Sequence, residues 1–83
     1  MTEVDYSRLR SLTARRLTAA VEKDGFSLAR QAGSHRHYKH PDGRRVTISF
    51  HHASDTFRPK TLRSVIETQA RWKHQDLVRL ELF

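Results

Sequence analysis

Eighty-three residues make one small domain, expected to span residues 1–83, and a chain of this length buries only roughly 60 to 65% of its unfolded surface around one modest core. The absence of cysteine excludes disulfide scaffolds, thiolate metal sites and a cysteine nucleophile. No apolar run reaches the roughly 18 residues of a membrane span, and Met1-Thr2-Glu3-Val4-Asp5-Tyr6 lacks the plan of a signal peptide; a cytoplasmic protein is expected. Sixteen Lys and Arg against nine Asp and Glu give +7, with five fixed cations between Arg30 and Arg45 facing only Asp42, so the expected partner is a polyanion.

Residues 1 to 8 are polar and expected to fray, with Asp5 and Ser7 available as caps. Leu9, Leu12, Leu17, Ala20 and Val21 then recur at helical spacing, and Lys23-Asp24-Gly25 supplies a terminal cation and a glycine stop. The helix ends near Asp24; Thr13 offers an N-cap for a shorter version of it. Phe26 to Ala32 alternates as a half-buried strand, with Phe26 and Leu28 on one side and Ser27, Ala29 and Gln31 on the other. Ala32-Gly33 turns the chain into a second strand, Ser34 to His40. Pro41-Asp42-Gly43 is a hairpin signal, and Arg44 to Phe50 is a third strand.

His51 to Arg58 has no period and reads as a loop. Pro59 suits a first helical turn, and Leu62, Val65, Ile66 and Gln69 predict an amphipathic helix over about residues 60–71. Trp72 to Phe83 reads as a short helix, with an added strand as the alternative. The expected class is α+β: α-β-β-β-α, a three-stranded antiparallel sheet with helices on one face, plus a short C-terminal element. Strand phase assigns Phe26, Leu28, Tyr38, Val46, Ile48 and Phe50 to the core face. It leaves Gln31, His35, His37, Lys39, Arg45, Thr47 and Ser49 on the open face.

The richest stretch for chemistry is Gly33-Ser34-His35-Arg36-His37-Tyr38-Lys39-His40. Imidazole both takes and gives protons near neutrality, and adjacent Arg and Lys hold phosphodiesters and stabilise developing charge. His35, directly after a Gly-Ser turn, stands where it can exchange a proton with a ribose 2′-OH or a departing 5′ oxygen. Arg30, Ser34, Arg36, His37, Lys39, Arg44 and Arg45 form the candidate RNA-binding set, and His51, in the loop after the third strand, is a candidate second proton-transfer group. A metal site built on His35 and His37 has one carboxylate in the segment, Asp42 in a turn, and no cysteine, and completing it would require His40, His51 or His52 from elsewhere, so no metal and no cofactor is expected. The alternative is an RNA-binding module without catalysis, reading shape and 2′-OH groups.

The ordered set Glu22-Lys23-Asp24-Gly25-Phe26, Arg30-Gln31-Ala32-Gly33-Ser34-His35, Tyr38-Lys39-His40-Pro41-Asp42-Gly43-Arg44-Arg45-Val46-Thr47-Ile48, His51 and Thr61-Leu62-Arg63-Ser64-Val65-Ile66 resembles the HicA toxin family of type II toxin–antitoxin modules. The likeness covers about residues 13–70, with 1–12 and 72–83 as extensions. It implies a fold like the double-stranded-RNA-binding domain. It further implies a ribosome-independent, metal-free mRNA interferase with a single catalytic histidine, neutralised by a HicB antitoxin in an oligomeric complex. Its Gly-Ser-His motif maps the family's catalytic histidine onto His35. This chain departs from the family pattern at Ser49, Lys60 and Arg71, where members commonly carry proline, glycine and glycine.

Overall fold

The computed structural model describes residues 4–83; Met1, Thr2 and Glu3, part of the stretch expected to fray, lie outside the described residues. Thr13 opens the first helix, α1 (Ala14–Lys23): its extended backbone lets Oγ1 accept the Arg16 N–H at 3.3 Å, the geometry of an N-cap. The N–H groups of Ala14 and Arg15 donate to the carbonyls of Asp55 (2.8 Å) and Ala53 (3.0 Å), so the loop after the sheet closes over the helix start. The shorter of the two helices is therefore the one that forms. Ahead of it a 3₁₀ turn, Tyr6–Leu9, is capped by Asp5 and buries Leu9, so regular structure begins inside the stretch expected to fray.

Strands β1 (Ser27–Ala32), β2 (His35–Lys39) and β3 (Arg45–Ser49) form an antiparallel meander in that spatial order. Gly33 (φ 59°) takes the left-handed conformation in the two-residue turn between β1 and β2, which glycine adopts at little steric cost. The next hairpin closes with His40 N–H to Arg44 O at 3.0 Å and Gly43 N–H to His40 O at 2.9 Å. Helix α2 (Pro59–Arg63) begins with proline in its first turn and runs on into a π-helical stretch, Ser64–Gln69. There Gln69 Oε1 accepts the Thr47 N–H at 2.7 Å, covering part of the edge that β3 would otherwise leave unpaired. Arg71 then turns the chain at φ 58°, a left-handed conformation at the position where the family pattern has glycine. The C-terminal element is a short helix, α3 (His74–Arg79), and not a fourth strand.

This order is the expected α-β-β-β-α arrangement, α+β and similar to the double-stranded-RNA-binding domain. One cluster of buried side chains runs from Leu9 to Leu82, with Leu12, Leu17, Ile48, Leu62, Ile66 and Leu77 among the most enclosed. Each such side chain contributes roughly 1.5–3 kcal/mol on burial.

Two strand assignments need correction, each for its own reason. Between Leu28 and Arg30 the register of β1 against β2 shifts: Leu28 faces Tyr38, whereas Arg30 faces His37. Ala29 is the extra residue of a β-bulge, and a bulge reverses the face of every residue beyond it. Gln31 consequently pairs with Arg36 on the core-side face instead of the open one. Leu28 keeps its phase opposite Tyr38 but is 47% exposed, because β1 is an edge strand whose neighbour in the sheet is β2 alone.

Asp24, at the end of α1, joins three parts of the chain. Its carboxylate accepts from Trp72 Nε1 (2.9 Å) and pairs with Arg44 (3.1 Å) and Arg79 (2.7 Å), while its carbonyl receives His40 Nε2 at 2.9 Å. Burial alone would raise the Asp24 carboxyl. The hydrogen bonds from Trp72 and Arg79 and the Arg44 charge outweigh it and hold the group below the usual carboxylate range. Gly25 follows at φ 108°, and a Cβ there would lie 2.9 Å from His40 Nε2. The Asp-Gly-Phe and His-Pro-Asp-Gly-Arg segments are thus one structural joint.

Candidate active site

Directly opposed residues of an antiparallel sheet share a face, so the pairings sort the strands into rows. The open face has three: Ser27–Lys39–Arg45, Arg30–His37–Thr47 and Ala32–His35–Ser49. No aspartate or glutamate occurs in any of the three strands. Among the described residues Arg30, Lys39 and Arg45 form no ion pair. Electrostatically this face is unbalanced toward anions.

His35 opens β2 directly after the Gly33-Ser34 turn and is exposed. Behind it the turn is fixed by the Phe50 N–H donating to Ser34 O at 3.1 Å and by the Ser34 and Ser49 hydroxyls at 3.3 Å. His37, one row in, is half-buried, and its Nδ1 lies 3.0 Å from Thr47 Oγ1. Around His37 the face dips into a concavity of about 550 Å³ lined by Arg30, Lys39, Arg45 and Thr47 among others. Arg30 reaches this face only because of the Ala29 bulge, since strict alternation would have turned it the other way.

The remaining predicted residues lie elsewhere. Arg36 pairs with Ile48 on the core-side face, where its guanidinium sits 4.4 Å over the Phe50 ring and its Nε is buried without a partner. Arg44 is held in the joint, by Asp42 at 2.7 Å, by Asp24, and by Ala70 O at 2.6 Å. The Arg44 N–H and guanidinium in turn keep the Asp42 carboxyl below its usual range. His51 and His52 donate their backbone N–H groups to Asp55 Oδ2 at 2.9 and 3.0 Å, and those bonds lower the Asp55 carboxyl. The His51 ring is exposed on that loop. Strand phase alone places Thr47 on the open face; its contact with His37 follows from register, which a single strand does not reveal.

Among the described residues no three His, Asp or Glu side chains converge as a metal-ligand group, and no helix is long and apolar enough to cross a membrane.

Fold and site together define a small α+β domain, similar in fold to the double-stranded-RNA-binding domain, with a basic sheet face free of carboxylates. Residues 14–76 match the family model of the HicA toxin of bacterial toxin–antitoxin systems. The chain belongs to this family, and an antitoxin is accordingly its partner. No protein of curated function matches it.

Proposed function

We propose that this toxin is a metal-independent endoribonuclease that cleaves mRNA without the ribosome, with His35 as a proton-transfer group and a HicB-like antitoxin as the protein that blocks it. The observation that carries the reading is the placement of His35 at the rim of a carboxylate-free sheet face that also carries Arg30, one row away, and Lys39 and Arg45, two rows away. On that face an imidazole can move a proton at the ribose or the leaving oxygen. The cations hold the phosphodiester and offset the charge that grows on it. Ser34 acts by fixing the turn; Arg36 and Arg44 support the sheet from the core side and the joint, so the RNA-facing set contracts to Arg30, His37, Lys39 and Arg45.

Purified protein is expected to degrade RNA in EDTA. His35→Ala should lower the rate by roughly 10² to 10⁴, the usual weight of general acid–base catalysis, with an unchanged circular dichroism spectrum. Cleavage by the variant at the parent rate would overturn the assignment. The same face also suits a non-catalytic RNA-binding module; salt-dependent binding with no cleavage by the parent protein would select that reading instead.

A further inference from the structure

We propose that His37 is the second proton-transfer group, so that cleavage runs through two imidazoles on one strand; this rests on the endoribonuclease reading above. Cleavage by the 2′-OH needs two proton transfers. One base removes the 2′-OH proton as O2′ bonds to phosphorus, and one acid delivers a proton to O5′ as the P–O5′ bond breaks. The products are a 2′,3′-cyclic phosphate and a 5′-hydroxyl, with no other reactant consumed. A single histidine can serve only one of these transfers at a time.

His35 and His37 occupy neighbouring rows of the same face. Two residues apart on a strand, their Cα atoms are separated by about 7 Å, a spacing at which two rings can stand on either side of one phosphodiester. Each would then be within the roughly 2.6–3.2 Å needed for transfer at its own oxygen. Thr47 Oγ1 lies 3.0 Å from His37 Nδ1, a hydrogen bond that engages Nδ1 in either tautomer and leaves Nε2 as the nitrogen free for proton exchange, the orienting role that a third group plays for a catalytic imidazole. The charged and titratable groups facing His37 are Arg30 from β1, His35 and Lys39 from β2 and Arg45 from β3; Gln69, behind Thr47, is neutral. Of these, Arg30, in the His37 row and diagonal to His35, is the cation placed to hold a phosphate between the two rings, while Lys39 and Arg45 lie one row beyond His37 and can meet the neighbouring backbone.

His51, by contrast, belongs to a loop drawn to Asp55 and to the start of α1.

The test is the pH dependence of kcat/KM on a short RNA for the parent, His37→Asn and Thr47→Val. Asparagine keeps a hydrogen-bonding group toward Thr47 but cannot titrate. The parent should give a bell-shaped profile. His37→Asn should lose at least roughly 10²-fold in rate together with one limb of the bell, the limb identifying whether His37 is acid or base. Thr47→Val should keep both limbs at a reduced rate. An His37→Asn profile with both limbs intact, whether at full or reduced rate, overturns the proposal. If the parent itself cleaves no RNA, the endoribonuclease reading has failed rather than the role of His37.

Discussion

Replacing Asp24 with alanine removes the acceptor on which three segments converge, and the loss can be worked from the contacts. The carboxylate is 7% exposed and Trp72 is 3% exposed, so Trp72 Nε1 would be left buried without a partner, at about 1–3 kcal/mol. Arg44, also largely enclosed, would keep Asp42 and the Ala70 carbonyl but lose its most buried counter-charge, at about 1.5–3 kcal/mol. Arg79 is half-exposed and adds no more than about 1 kcal/mol. The sum, about 2.5–7 kcal/mol, brackets the roughly 3–5 kcal/mol that breaking one side of a buried ion pair costs in general, and that narrower range is the expected loss. A domain of this size has only about 4–12 kcal/mol in total, so the midpoint of thermal unfolding should fall by at least about 12 °C.

Urea titration followed in parallel by circular dichroism and by the emission of Trp72, the only tryptophan, measures this directly. A loss under about 1 kcal/mol at unchanged slope would refute the account. The same residue predicts an acid limb. Because the folded carboxyl titrates below its unfolded value of about 3.9, its contribution is complete above the unfolded value. That contribution fades as pH falls through the lower, folded one. Asp24→Asn should flatten the stability profile there, leaving the parts due to Asp5, Asp42, Asp55 and Glu81.

Gly25→Ala should lose about 2–4 kcal/mol, from the unfavourable φ and from a Cβ set 2.9 Å from His40 Nε2; in a His40→Ala background the further loss should shrink to about 1–2 kcal/mol, and a constant loss would show that the His40 contact contributes nothing. Arg71→Gly should raise stability by about 0.5–1 kcal/mol, since relief of the left-handed strain exceeds the added entropy of the unfolded chain. A lower urea midpoint would mean that the arginine side chain makes a stabilising contact.

Local chemistry accounts for what was legible in the sequence. Thr13 as a cap, Gly33 and Gly43 as turn residues and the alternation of Tyr38, Val46 and Ile48 each act within a few residues, where propensity and period operate. The bulge at Ala29 carries no glycine and no break in composition, so strict alternation passes through it and misplaces Arg30 and Gln31. The joint at Asp24 is equally silent, because its partners Trp72 and Arg79 lie 48 and 55 residues away and neither has a spacing that announces it. Arg44 illustrates the consequence. As a sequence feature it is one more cation in a basic run, and only the three-dimensional pairing with Asp24 separates a structural guanidinium from one free to meet phosphate.

The same separation applies to the six histidines. His40 is committed to the joint, its Nε2–H donating to the Asp24 carbonyl while Nδ1 accepts the Asp42 N–H at 3.1 Å. With Asp42 Oδ1 a further 2.9 Å contact of Nδ1, both ring nitrogens are engaged. His74 packs on the Phe83 ring at 5.2 Å, and His51 and His52 ride on a loop whose backbone is bound to Asp55 and α1. Only His35 and His37 stand on the open sheet face, in adjacent rows among cations that no carboxylate neutralises. With Asp5 and Asp76 engaged as caps, Asp42 in the hairpin turn and Asp24 in the joint, none of these carboxylates reaches the open face, which stays charged and carries two imidazoles in adjacent rows.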